Sequence, residues 1–237
     1  SDVEALQWYR RAATQGFARA QYSVGLAYDN ARGVRRDVAE AAKWYRLAAD
    51  QGLASAQYNL GLGYDLGRGV LLDYAEAGRW YQLAAGQGNI SAQSNLGVLY
   101  DKGRGVAQDF TKALKWYRLS ADQGSASAQN NLGALYDEGN GVPQDYSVAL
   151  KWYNLSAAQG YAAAQANLGT MFDNGHGVAQ DAAEAAKWFR LAADQAFAPA
   201  QYSLGTMFAN GRGLPKDEVE AARWYRLAAV QGHVEAQ

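Results

Sequence analysis

The chain has 237 residues, 49% hydrophobic and 19% charged, with a formal net charge of −1 and no cysteine. That balance gives no electrostatic footprint for nucleic acid or an anionic membrane. Without cysteine there is no disulfide frame and no thiolate metal site, and no apolar run approaches the roughly 18 residues of a membrane span.

Taken from the N-terminus, the chain is punctuated by Trp8, Trp44, Trp80, Trp116, Trp152, Trp188 and Trp224, each 36 residues after the last. A fixed period of this length marks a stacked repeat protein. Each unit of such an array contacts only its neighbours, so residues 1–237 read as a single solenoid without a closed core. The first unit holds the Trp8 helix but no helix before it. The chain therefore reads as a fragment, and a missing targeting signal leaves its compartment undecided. Arg32, Arg35 and Arg36 form a basic knot in the first loop, read as a solvated loop rather than a phosphate site.

The first complete tryptophan helix, helix B of the repeat, is expected over Asp37 to Gln51. Asp37 recurs as Asp73, Asp109, Asp145, Asp181 and Asp217, each placed as an N-cap. Four of them precede a glutamate by three residues (Glu40, Glu76, Glu184, Glu220), the spacing of a capping box. Ala41, Tyr45 and Ala48 form the expected buried line, with Trp44 and Leu47 widening it. A buried indole in each unit would stabilise the array by a gross ~4–6 kcal/mol. Helix B closes on Gln51-Gly52, as in most later units.

Helix A follows, from about Ala54 to Leu66, with Leu60 and Tyr64 four apart on one face. It carries a glycine at Gly61, repeated at Gly25, Gly97, Gly133, Gly169 and Gly205. Glycine inside a helix costs about 1 kcal/mol against alanine, so its recurrence implies a close approach of helix B that a Cβ would block. The Gly67-Arg68-Gly69-Val70 loop reads as a left-handed helix cap followed by an apolar residue that tucks back. A lone Gly-x-Gly with no preceding strand is weak evidence for phosphate. Exposed Leu71 and Leu72 form a small side patch.

Further along, His176 replaces the loop arginine of other units, and His233 lies in a terminal turn. Neither has a partner at catalytic spacing, and no nucleophile elbow, P-loop or metal-ligand cluster accompanies them. No enzyme activity and no cofactor is expected. Ala196 replaces a turn glycine, which predicts a locally altered turn near Gln195. Both ends are expected to leave packing surface uncovered, predicting fraying or end-to-end self-association.

Ala92, Leu96, Gly97, Tyr100, Gly103, Gly105, Val106, Asp109, Ala113, Trp116, Tyr117, Gln123 and Gly124 together resemble the Sel-one-like repeat family, a relative of tetratricopeptide repeats. The likeness covers the whole chain. It implies an all-α fold, a right-handed α-solenoid of about six and a half 36-residue helix-turn-helix repeats. It also implies an interaction scaffold, largely bacterial, that binds a protein or peptide; charge balance and hydropathy add the expectation of no nucleic acid partner and no membrane insertion.

By analogy with tetratricopeptide arrays, helix A lines a concave face. Positions that vary between units on that face are candidates for recognition. The first row reads Tyr22, Tyr58, Ser94, Asn130, Ala166 and Tyr202, and the second begins Leu26 and Leu62. Beside them run Asn59, Asn95, Asn131 and Asn167, and an acidic row of Asp29, Asp65, Asp101, Asp137 and Asp173. The polar rows admit two readings: clamps for a peptide backbone and a cationic partner, or bonds within the scaffold. Tyr58 and Tyr202 are the expected contact anchors. A cell-envelope or glycan-binding role is the alternative, with a hydrolase behind it.

Overall fold

The computed structural model describes residues 1–232, and among them it holds thirteen α-helices and no strand. By contacts the chain divides into two units, Ser1–Gln123 and Gly124–Gln237. The first contains α1 (Asp2–Thr14), α2 (Ala18–Asp29), α3 (Val38–Asp50), α4 (Ala54–Leu66), α5 (Tyr74–Gly86), α6 (Ile90–Lys102) and α7 (Phe110–Ala121). The second contains α8 (Ala126–Glu138), α9 (Tyr146–Ala158), α10 (Ala162–Asn174), α11 (Ala182–Asp194), α12 (Ala198–Asn210) and α13 (Glu218–Val230). Odd-numbered helices carry the tryptophan and are helix B; even-numbered ones are helix A.

All six aspartates cap helix B, accepting backbone N–H bonds from the first turn. The reciprocal half of the capping box is not made at the four expected places. Glu40, Glu76, Glu184 and Glu220 turn instead to Lys43, Arg79, Lys187 and Arg223, one turn on, at 2.7–3.2 Å. A cation at i+3 offers a charged partner on the same helix face. The complete box occurs at Ser1 and Glu4, ahead of α1.

The glycine of helix A has the packing reason its recurrence implied. A Cβ on Gly61 would lie 2.8 Å from the Tyr81 ring, and one on Gly97 would lie 2.5 Å from Tyr117. The nearest approaching group is thus a helix B aromatic ring, with a helix B carbonyl oxygen next, at 3.3 Å from the Gly61 position. Tyr81, Tyr117 and Tyr153 are among the largest fully buried side chains. The buried aromatic anchor is therefore this tyrosine, and the expectation for the tryptophans needs correction. Only Trp224 is buried among the seven; Trp8 is 66% exposed and the rest are half-buried.

The half-buried indoles seal the seam between neighbouring repeats. Trp44 packs on the α1–α2 core, Trp80 on α3–α4, Trp116 on α5–α6 and Trp188 on α9–α10. The buried indole N–H groups of Trp80, Trp188 and Trp224 have no acceptor, so these rings contribute by volume and apolar contact. Leu47 does not widen the buried stripe. It is 47% exposed, and Leu83, Leu119, Leu155, Leu191 and Leu227 are likewise exposed.

The loops carry a second inter-repeat contact. Gly67, Gly103, Gly139, Gly175 and Gly211 cap helix A in the left-handed conformation. The second loop glycine does different work. A Cβ on Gly69 would lie 2.1 Å from the Val38 carbonyl oxygen, and on Gly213 2.1 Å from that of Ala182. This glycine lets the loop lie flat on the start of the preceding helix B. Ala31, in the place of the first loop glycine, adopts φ +56° behind a helix one residue shorter.

Ala196 corrects another expectation. Its turn is unaltered: Ala196 adopts φ +60°, and its N–H meets the Ala193 carbonyl at 2.9 Å, as Gly52 meets Ala49. A Cβ at Gly52 meets nothing within 4 Å, so the turn tolerates alanine sterically and leaves only the backbone strain.

Candidate interaction surface

Helix A positions all the candidate residues: α2, α4 and α6 in the first unit, and α8, α10 and α12 in the second. The first row corrects the expectation of an exposed face: Tyr22, Tyr58 and Tyr202 are half-buried, and Ser94, Asn130 and Ala166 are buried. Its rings lean on the helix B aromatics, Tyr22 on buried Tyr45 at 5.7 Å between centroids, Tyr58 on buried Tyr81 at 6.0 Å and Tyr202 on half-buried Tyr225 at 5.5 Å. These tyrosines therefore present an edge and a hydroxyl, held at a fixed angle. Partial burial raises the Tyr22 hydroxyl pKa, against a hydrogen bond from Asn59.

The acidic row is engaged inside four of the repeats. The hydroxyls of Tyr45, Tyr81, Tyr117 and Tyr153 donate to Asp29, Asp65, Asp101 and Asp137 at 3.0–3.4 Å. Burial pushes the Tyr45, Tyr81 and Tyr153 hydroxyls well above the ordinary tyrosine range, and the facing carboxylates add to the shift. Burial also raises the Asp137 carboxyl, while the Tyr153 hydroxyl opposes it. Asp29 additionally meets Arg68 from the next loop.

The asparagine row bridges elements. Asn59 donates to the Tyr22 hydroxyl at 3.4 Å and Asn95 to that of Tyr81 at 3.1 Å. In the second unit Asn167 donates to Asn130, which donates to Asn131. The structure thus joins Asn95, Tyr81 and Asp65 in one hydrogen-bonded chain, and Asn130, Asn131 and Asn167 in another. Leu62 stands half-buried beside Asn59.

One place in the repeat differs sharply between the units. In the first, Asp29, Tyr45, Asn59, Leu62, Gly63 and Arg68 enclose a cavity of about 60 Å³. Four repeats later Asp173, Phe189, Ser203, Thr206, Met207 and Arg212 enclose about 280 Å³, with Thr170, Tyr202 and Asn210 completing the wall. Phenylalanine at 189 removes the hydroxyl that would meet Asp173. Threonine at 206 replaces the space-filling Leu62. Arg212 still pairs with Asp173, at 3.0 Å.

Two features escaped the sequence reading. Six glutamine pairs, such as Gln51 donating to Gln21 and Gln87 to Gln57, tie helix A to the end of helix B within each repeat at 2.7–2.9 Å. Their constant spacing of 30 residues was the available signal. The exposed helix B leucines are the other, hidden because their position matched an amphipathic stripe. His176 also has a ring partner. It stacks on Tyr146, 4.4 Å between centroids. His233 lies outside the described residues. Leu71 and Leu72 are exposed, as expected.

The Sel1 repeat profile matches seven times in register, over residues 1–17, 18–53, 54–89, 90–125, 126–161, 162–197 and 198–233. The chain belongs to the Sel1 repeat family. Sel1 repeats generally mediate protein–protein interaction, and the family is generally non-catalytic. Among solved structures this Sel1 repeat chain is similar to a protective antigen of uropathogenic Escherichia coli that displays the same fold. The identity is 38% and the TM-score 0.85, over 98% of this chain. It spans only 50% of that antigen's length. It is also similar to a Sel1 repeat protein from Oxalobacter formigenes, 30% identical, TM-score 0.86, over 96% of both chains. An immunity protein from Pseudomonas aeruginosa shares the fold at 24% identity and TM-score 0.59, over 90% of this chain and 80% of its own. No functionally curated protein matches. Among the described residues no helix is long and apolar enough to cross a membrane.

Proposed function

We propose that the chain is a non-catalytic scaffold that holds a protein or peptide against the face lined by helix A, which we take as concave. The observation that carries this reading is the contrast between positions. Ala41, Tyr45, Ala48, Leu60 and Gly61 and their counterparts build the scaffold and barely change. The neighbouring row of Tyr22, Tyr58, Ser94, Asn130, Ala166 and Tyr202 changes from repeat to repeat at the equivalent position of each helix A, and its tyrosines are the members that reach the surface. Half-buried tyrosines fixed by ring contacts lose little entropy on binding, which suits interface anchors. We further propose that the chain self-associates through the exposed α1 surface around Trp8, checked by sedimentation over a range of concentrations.

The test uses the full chain. Binding peptides are selected from a displayed random library, and the tightest is measured by calorimetry. Tyr58→Ala with Tyr202→Ala is expected to weaken it at least about tenfold, with helicity unchanged by circular dichroism. Undiminished affinity would move the site elsewhere, the exposed leucine row of helix B first. A peptide displaced by oligosaccharide would favour the glycan-binding alternative.

A further inference from the structure

We propose that the cavity between α10, α11 and α12 takes a basic side chain, lysine or arginine, from a bound protein segment. The inference rests on the helix A reading above and names what one part of that face recognises.

Three observations converge on it. The first is a carboxylate short of a donor. In four other repeats the aspartate receives a tyrosine hydroxyl, but Phe189 offers Asp173 none. The Asp173 Oδ1 atom is buried without a hydrogen bond, its ion pair to Arg212 lacking hydrogen-bond geometry. A buried acceptor in that condition favours an incoming N–H donor. The second is size. About 280 Å³ falls below the range of whole-ligand pockets and suits one inserted side chain. Phe189, Tyr202 and Met207 line it for an aliphatic stem, and the Thr170 and Thr206 hydroxyls are held on their own helices by the Ala166 and Tyr202 carbonyls. The third is charge. Arg212, paired to Asp173, balances it in the cavity wall. The helix A segments α8, α10 and α12 add Asp137 and Glu138 and no lysine or arginine, and that excess of negative charge favours a cation over an anion.

The experiment follows the methyl resonances of Met207 and Thr206 in the full chain by NMR. The probes are N-acetyl-lysine methylamide, its Nε-acetylated form and the glutamate counterpart. Saturable shifts are expected with the lysine probe alone. Phe189→Tyr, which supplies the missing hydroxyl, should weaken it about tenfold or more, since a charge-assisted bond is lost. Thr206→Leu, which copies Leu62, should do the same by filling the space without touching the carboxylate. Asp173→Asn should match both. Unchanged binding in the folded Phe189→Tyr and Thr206→Leu variants overturns the proposal. So does preferential binding of the glutamate probe, which would assign recognition to Arg212, or no shift with any probe. Lysine-probe binding without peptide capture defeats the wider face reading and leaves the pocket. Peptide capture unaffected by Phe189→Tyr defeats the pocket and leaves the face.

Discussion

The cavity beside Asp29 and the one beside Asp173 occupy the same place in the repeat and have the same backbone around them. One holds about 60 Å³ and the other about 280 Å³, because of a few side chains. Tyr45 and Leu62 bring a hydroxyl and a branched aliphatic group in the first; Phe189 and Thr206 bring neither in the second. A repeat scaffold separates the work of holding shape from the work of making a site. Shape rests on glycines, alanines, capping aspartates and glutamine pairs. A site can then open or close at a position that the scaffold does not need.

The largest expected effect is one that the two regions should share. Gly69→Ala and Gly213→Ala each drive a Cβ to 2.1 Å from a backbone carbonyl oxygen. Each should cost about 3 kcal/mol by overpacking and left-handed strain, measured by chemical denaturation. A large inequality between the two losses would show that the loops are not equivalent.

Next comes the feature that separates the regions. Tyr45→Phe removes a buried hydroxyl from Asp29 and should destabilise by about 1.5 kcal/mol. Phe189→Tyr should stabilise by about 1 kcal/mol, because Asp173 gains a donor. Changes of the same sign in the two variants would break the comparison.

The pH dependence has the same origin. Burial holds the Tyr45, Tyr81 and Tyr153 hydroxyls above their unfolded range, with the neighbouring aspartates adding to it. The unfolded chain therefore loses these protons first, above pH ~10. Stability that is complete below that pH should fall as pH rises, with the Tyr45, Tyr81 and Tyr153 ring resonances keeping their protonated shifts until helix is lost. Ionisation of these three hydroxyls in the native state, before unfolding, would contradict the buried Tyr–Asp pairs.

The smallest effect concerns a turn. Ala196→Gly should stabilise by about 0.5–1 kcal/mol by relieving positive φ, the strain partly offset by the entropy of glycine. Gly52→Ala should do the reverse by a similar amount, since its Cβ meets nothing. A fall in stability for Ala196→Gly would mean that the alanine methyl has a contact of its own.

Much of the fold was legible because its signals are local and periodic. Ala54 to Leu66 is the observed span of α4, and the aspartate caps fall where expected. Burial depth was less legible. Trp44 and Tyr45 are adjacent and both aromatic, and only three-dimensional packing shows that the tyrosine goes under the helix A glycine while the tryptophan covers the seam. The glutamate of the capping box pattern was ambiguous for a similar reason, since a lysine or arginine one turn later competes for it. At the candidate site, the rows of helix A were readable from spacing. That Asp29 is held by Tyr45, and Asp173 is not held by Phe189, depends on a contact 16 residues away between two helices.

The central claim, that partners are held on the helix A face, is tested most directly by mapping amide and methyl shifts on the labelled chain with a selected peptide. The expected footprint includes Tyr22, Tyr58 or Tyr202 and the helix A residues beside them. A footprint confined to Leu47, Leu83, Leu119, Leu155, Leu191 and Leu227 on helix B would contradict it.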